Sequence, residues 1–226
     1  MKKNTVCAVA IGSTMDELIH QIKLAQKEAD IVEVRMDHIR DIKNINLQII
    51  KKIIDKDLII TCRRCDEGGK WSGSEDARLD ILKTAFHLEF SFIDVELRTL
   101  EEGVFRIPSP RKTKVIISHH NFSETPSYIN LKAISKRMEL FHPDIKKIAT
   151  FVNSEEDTKI LIKFLLEKCM NEIVCIIGMG ELGKKTRIIS PLLGGSFTYC
   201  SISNGRSSAP GQLTCGEMQK IYTLLE

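Results

Sequence analysis

No stretch of this chain approaches the ~18 consecutive apolar residues that a membrane span requires. The N-terminal MKKNTVCAVAIGSTMDE carries only a short apolar run behind two lysines, too short for a spanning helix, and no secretory leader is expected. The chain therefore reads as soluble, neither exported nor membrane-bound. Charge of one sign is scarce too, with a net +3 over 226 residues. The lysine pairs at 51–52, 146–147 and 184–185 are scattered without interleaved aromatics, which argues against a nucleic-acid partner. Cysteines number seven, an odd count, and several lie inside apolar runs where a free thiol behaves as a small hydrophobe. A disulfide framework is not expected, and a reducing cytoplasm is the implied compartment. The single C-x-x-C, Cys62 and Cys65, lacks the second pair or spaced histidine of a zinc site, so no metal is expected.

What is present is a regular alternation. Eight short apolar, β-branched runs recur: VCAVAI (6–11), DIVEVRM (30–36), LIITC (58–62), FIDVEL (92–97), KVIIS (114–118), KIATFV (147–152), EIVCII (172–177) and SFTYCSI (196–202). Nearly continuous apolar runs are the mark of parallel strands buried on both faces. Segments of helical period separate them, at 15–29, 45–55, 75–89, 128–141, 154–169 and 216–226. Ser13 or Thr14 suits the first N-cap, and Ser154 with Asp157 suits another. The segment 98–110, broken by Pro108 and Pro110, is the weakest helix. Eight βα units without a linker predict one (β/α)8 TIM barrel over residues 1–226, in preference to an open doubly wound sheet.

In such a barrel the active site lies at the C-terminal ends of the strands. Glu33 and Arg35 share one face of strand two, and Asp94 and Glu96 share one face of strand four. Strand three runs into TCRRCDEGG with Arg63 and Glu67, and strand five ends in Ser118, His119 and His120. Buried ion pairs that merely set barrel geometry would explain any one of these. Unusual groups at one end of six strands, with Lys147 on strand six and Met179 after strand seven, point to a site where a barrel interior is normally Val, Ile and Leu. Lys147, on the face of Ala149 and Phe151, would have its pKa lowered toward neutrality in a dry lumen and so become an imine-forming nucleophile. A lysine snorkelling from a strand start is the alternative, and alternation alone does not choose between them. Nor does it say which of His119 and His120 faces the lumen.

GMGELG matches G-x-G-x-x-G at Gly178, Gly180 and Gly183. It follows six βα units, and no acidic residue lies about 20 positions on to hold a ribose, so a dinucleotide is not expected. Lysine after the GK also rules out a P-loop.

Taken together these residues resemble the type I 3-dehydroquinate dehydratases of the shikimate pathway. The matching stretches are VEVRMD (32–37), TCRRCDEGG (61–69), IDVEL (93–97), ISHHNFSETP (117–126), IKKIATF (145–151), MGELGKKTR (179–187) and SAPGQL (208–213), in the family's order through nearly the whole chain. The resemblance implies a cytoplasmic, cofactor-free and metal-free homodimer that dehydrates 3-dehydroquinate to 3-dehydroshikimate by syn elimination. It implies Lys147 as the imine-forming residue, His120 as general acid and base, and Glu67 as the group that orients His120 and aids proton transfer. His119 falls in a variable slot. Arg187 resembles the residue for the substrate carboxylate, and Glu33, Arg35 and Arg63 match positions that meet ring hydroxyls or orient one another. Ser208 and Gln212 would lie on a loop over the substrate, with Phe122 and Met179 as apolar walls. Two departures stand out: Ala10 on the first strand where the family has a small hydroxyl residue, and Thr186 before Arg187, ahead of the seventh helix, where serine is usual. Another imine-forming barrel enzyme, such as a sugar-phosphate aldolase, and a catalytically silent binding barrel are the alternatives.

Overall fold

Most helices of this chain begin where a short polar side chain takes over an otherwise unsatisfied amide. Thr14 accepts from the Glu17 amide ahead of α1 (Met15–Glu28), and Asn46 accepts from Gln48 and Ile49 at α2 (Leu47–Lys52). Ser74 and Ser127 cap α3 (Glu75–His87) and α5 (Tyr128–Glu139) in the same way. Ser154 and Asp157 form a reciprocal capping box at α6 (Glu155–Lys168), with three acidic residues in its first turn. The remaining helices are α4 (Leu97–Glu101), α7 (Lys184–Leu192) and α8 (Cys215–Leu225). These elements come from a computed structural model that describes residues 4–41, 45–203 and 211–225.

Between the helices run β1 (Val6–Ala10), β2 (Ile31–Arg35), β3 (Asp57–Thr61), β4 (Phe92–Glu96), β5 (Lys114–Asn121), β6 (Ile145–Phe151), β7 (Val174–Met179) and β8 (Thr198–Cys200). Every ladder is parallel, in the order β7-β6-β5-β4-β3-β2-β1-β8. Just ahead of β8 the Ser196 amide donates to the Val174 carbonyl, which brings β8 to β7 and nearly closes the sheet. The fold is the eight-stranded βα barrel that the alternation predicts.

Side chains of the strands sort into two packed sets. Val6, Ala8, Val32, Val34, Ile60 and Ile117 belong to the layer between sheet and helices, with Leu18, Ile22 and Ala25 of α1. Cys7, Val9, Ile31, Ile59, Ile116, Ile177 and Phe197 fill the lumen. Ala10 belongs to the outer layer, so its lack of a hydroxyl removes nothing from the lumen, contrary to the expectation.

Several boundaries move. β5 runs on to Asn121, so both histidines are strand residues, and β8 keeps only three of its seven expected residues. The proline-bearing segment after β4 retains a single short helix, α4. Thr186 and Arg187 lie within the first turn of α7 rather than before it. One cysteine expectation is overturned: Cys200 at the end of β8 and Cys215 at the start of α8 form a disulfide, while Cys7, Cys62, Cys65, Cys169 and Cys175 are free. The pairing depends on a contact across 15 residues, which spacing within apolar runs does not show.

Candidate active site

The lumen is layered by chemistry. Toward the N-terminal ends of the strands it is apolar, and toward the C-terminal ends the same inward positions become Glu33 and Arg35, Thr61 and Arg63, Asp94 and Glu96, Ser118 and His120, and Lys147. Glu33, Arg35, Arg63, His120 and Lys147 of this set line a cleft of about 510 Å³, its open mouth included, while Thr61, Asp94, Glu96 and Ser118 are buried outside its lining.

Lys147 sits at its floor, 5% exposed. Its Nζ donates to Asp94 Oδ2 and to the Tyr199 hydroxyl, each at 2.9 Å, and Glu33 Oε2 lies 3.8 Å away. The amine also stands 4.4 Å from the Tyr199 ring centroid. The dry, apolar wall expected around this lysine is therefore replaced by an ion pair with a phenol beside it. Asp94 is held in turn. Arg63 Nη2 lies 2.8 Å from Asp94 Oδ2, while Arg63 Nη1 donates to Glu96 (3.0 Å) and to Ser118 Oγ (2.6 Å), and Ser118 donates to Asp94 Oδ1 (2.6 Å). Burial works against the Asp94 charge, but Arg63 and Lys147 outweigh it and hold the carboxyl well below its ordinary value. Glu96 is anchored from behind by Arg78 of α3, which is fully buried and also bonds Glu75, Thr99 and the Cys62 carbonyl.

His120 faces the same cleft. Its backbone amide donates to Glu67 Oε2 (3.1 Å), and its Nδ1 lies 2.9 Å from that oxygen. Burial, together with Arg63 and Lys147, pushes the imidazole well below its ordinary value, so the ring is neutral near pH 7. With Glu67 ionised the ring proton belongs on Nδ1, leaving Nε2 as a free base. Burial pushes Glu67 itself up to about 7, against the pull of Arg63. A proton taken up by the imidazole is therefore passed readily to the Glu67 carboxylate. Glu67 sits in a 3-10 turn, Cys65–Glu67, closed by Gly68 at φ +78°. The positive φ calls for glycine there, and a Cβ would also press on the exposed Phe122 ring at 2.3 Å. Phe122 stacks on His120 at 6.3 Å between centroids. His119 points to the other face of the sheet, near Arg137 and Glu101 of the helical layer, where burial lowers its pKa.

Arg187 enters the cleft from α7, and burial pushes its guanidinium down to about 10. Ala149, Ile177 and Met179 form an apolar wall, and Gln212 lines one edge. The glycines of GMGELG are explained by packing. A Cβ on Gly183 would meet the Gly178 carbonyl at 2.6 Å, so α7 can lie close on β7 only without one. The Gly178 amide donates to Thr186 Oγ1, and those of Gly183 and Thr186 donate to carbonyls of the turn.

An ion-paired lysine and a carboxylate-held neutral histidine at the end of a βα barrel suit imine chemistry with proton transfer. Residues 6–226 match the family model described as type I 3-dehydroquinase. A 3-dehydroquinate dehydratase of Coxiella burnetii (strain CbuK_Q154) is 40% identical over 217 residues, covering 96% of this chain and 91% of the relative. The chain belongs to the type I 3-dehydroquinase family. A 3-dehydroquinate dehydratase of Methanococcus maripaludis (strain C6 / ATCC BAA-1332) is 37% identical, with 98% of this chain and 100% of the relative covered. Among solved structures, the 3-dehydroquinate dehydratase from Geobacillus kaustophilus HTA426 superposes with a TM-score of 0.89 at 24% identity, covering 99% and 91% of the two chains.

Of the residues that the dehydroquinase resemblance singles out, Lys147, His120, Glu67, Glu33, Arg35, Arg63, Arg187, Gln212, Met179 and Phe122 all line one cleft. Ser208 lies outside the described residues. Arg63 is almost wholly engaged by Asp94, Glu96 and Ser118, and Arg35 is held by Asp37 in two bonds of 2.8 Å. Lys146 faces away from the lumen, onto Ser135, Glu139 and Glu172. Tyr199 is the lumen residue that the sequence reading passed over. Alternation within SFTYCSI puts it on the face of Phe197, and a phenol in an apolar strand is the signal that could have marked it.

Proposed function

We propose that this chain dehydrates 3-dehydroquinate to 3-dehydroshikimate through an imine on Lys147. Membership of the dehydroquinase family supports the reaction. The observation that carries the assignment of residues is the buried Lys147 amine in one cleft with the neutral imidazole of His120 on Glu67. The amine condenses with the C3 ketone, water leaves, and the C=N bond becomes an electron sink for the adjacent C2–H bond. His120 Nε2 takes the C2 proton, and the Nδ1 proton can pass to Glu67, whose pKa near 7 suits both directions. The same imidazole then protonates the C1 hydroxyl as it leaves, so that a single group serves proton removal and departure on one face, which is a syn elimination. Hydrolysis returns the lysine.

Arg187 pairs with the substrate carboxylate, since a guanidinium presents two parallel donors to it. Glu33, Arg35 and Gln212 meet ring hydroxyls, Ser208 joins them from its loop, and Phe122 and Met179 close on the ring. Arg63 acts mainly through Asp94. This reading also makes the protein a cytoplasmic homodimer, a point that light scattering decides. None of the described helices is long and apolar enough to cross a membrane.

Mixing purified protein with 3-dehydroquinate should raise the absorbance of a conjugated enone. Borohydride added during turnover should leave substrate mass on the peptide containing Lys147. Lys147→Ala should give neither signal while keeping its far-ultraviolet circular dichroism. An adduct on another lysine would overturn the assignment.

A further inference from the structure

Among the described residues two groups hydrogen-bond the Lys147 nitrogen, and they differ in what they can give. Asp94 is a carboxylate held ionised by Arg63, so it can only accept. The Tyr199 hydroxyl, 2.9 Å from Nζ, can accept and donate at once. Burial keeps this phenol protonated far above neutral pH, with Glu33 adding to the effect. Its ring is fixed edge-on by Phe197 at 5.4 Å, and the residue is 5% exposed in the wall of the cleft. An oxygen on any carbon that Nζ attacks lies one atom beyond Nζ, within hydrogen-bond reach of a hydroxyl already touching that nitrogen.

We propose that Tyr199 is a catalytic residue for formation and hydrolysis of the imine, relaying protons between Nζ of Lys147 and the ketone oxygen of the substrate. The inference rests on the Lys147 reading above. One N–H proton passes from Nζ to the phenol while the phenol's own proton passes to the ketone oxygen. The lone pair so freed on Nζ then bonds the carbonyl carbon as the C=O π pair moves to oxygen. A second pass through the phenol puts another proton on the oxygen, the C–O bond breaks, water leaves, and the nitrogen lone pair closes C=N. An ammonium with three N–H bonds and a ketone thus become a protonated imine with one N–H bond and one water, and the phenol is unchanged.

Tyr199→Phe keeps the ring and its packing on Phe197 and removes only the hydroxyl. Two measurements test the relay: the initial rate of borohydride trapping on Lys147, and the isotope effect on turnover of substrate deuterated at C2. In the variant, trapping should slow by about 10²-fold, within the usual range for general acid–base catalysis, and the isotope effect should fall toward unity as imine formation becomes the slow step. The isotope effect is a ratio, so a smaller folded fraction leaves it unmoved and a merely structural role for the ring would not lower it. Trapping at the wild-type rate with an undiminished isotope effect overturns the proposal. Wild-type turnover without any adduct on Lys147 would instead overturn the reading on which it rests.

Discussion

His119 and His120 are neighbours with opposite fates. Strand alternation sends one toward the helices and the other into the lumen, where Glu67 holds it. His120→Ala should still form the borohydride adduct but lose about 10²–10⁴ in turnover. His119→Ala should leave turnover near wild type, and the reverse order in a side-by-side assay would refute the facing assignment. Glu67 gives a pH-dependent prediction. Its pKa is 4.5 in the unfolded chain and about 7 when folded, so the unfolded state loses its proton first. That favours unfolding increasingly as pH rises from 4.5 to 7, with a limit of about 3 kcal/mol at one pH unit per 1.36 kcal/mol. Glu67→Gln should therefore gain stability relative to wild type between pH 5 and pH 8 in urea titrations, while losing activity. A stability difference constant with pH would contradict this. His120, lowered by burial, works the other way and penalises the fold as pH drops below its ordinary value of 6.5.

At the scale of elements, the back of the site is built by α3. Arg78 links Glu75 of that helix to Glu96 of β4, and Glu96 in turn holds Arg63. Removing one partner of a buried ion pair strands the other charge, so Arg78→Ala should cost about 3–5 kcal/mol in urea unfolding. Loss of activity should accompany it, because Arg63 and Asp94 lose their support. A cost of surface size would show that the network is not cooperative. Cys200 and Cys215 tie the end of β8 to the start of α8. Closing a loop of this length stabilises by about 3 kcal/mol through the unfolded state. A reductant should lower the melting temperature of wild-type protein but not of Cys215→Ser, and equal responses would show that the bond is absent in solution.

The whole molecule decides where the chemistry can stand. Parallel strands of a barrel all point their C-terminal ends one way, so polar residues converge from six strands that lie far apart in sequence. The register supports this: Ser118 lies opposite both Glu96 and Lys147, and Lys147 lies opposite Cys175. Layering also separates duties, since the apolar half of the lumen holds the barrel together while the charged half is stabilised only by mutual pairing.

Much of this was determined by the sequence alone. Eight apolar runs set between helical segments specify a βα barrel because strands buried on both faces and amphipathic helices have different periods. The stretches of the dehydroquinase resemblance marked Lys147, His120 and Glu67 as the centre, and alternation showed that only one histidine could accompany the lysine. The tertiary structure alone decided the company those groups keep. Lys147 meets Asp94 and Tyr199 across separations of 53 and 52 residues, so no local pattern could replace the expected apolar wall by an ion pair. Cys200 reaches Cys215 for the same reason, whereas Ala10 falls on the outer face by plain alternation with Val9. Local periodicity fixes which face a side chain takes, while distances between faces are set only when the barrel closes.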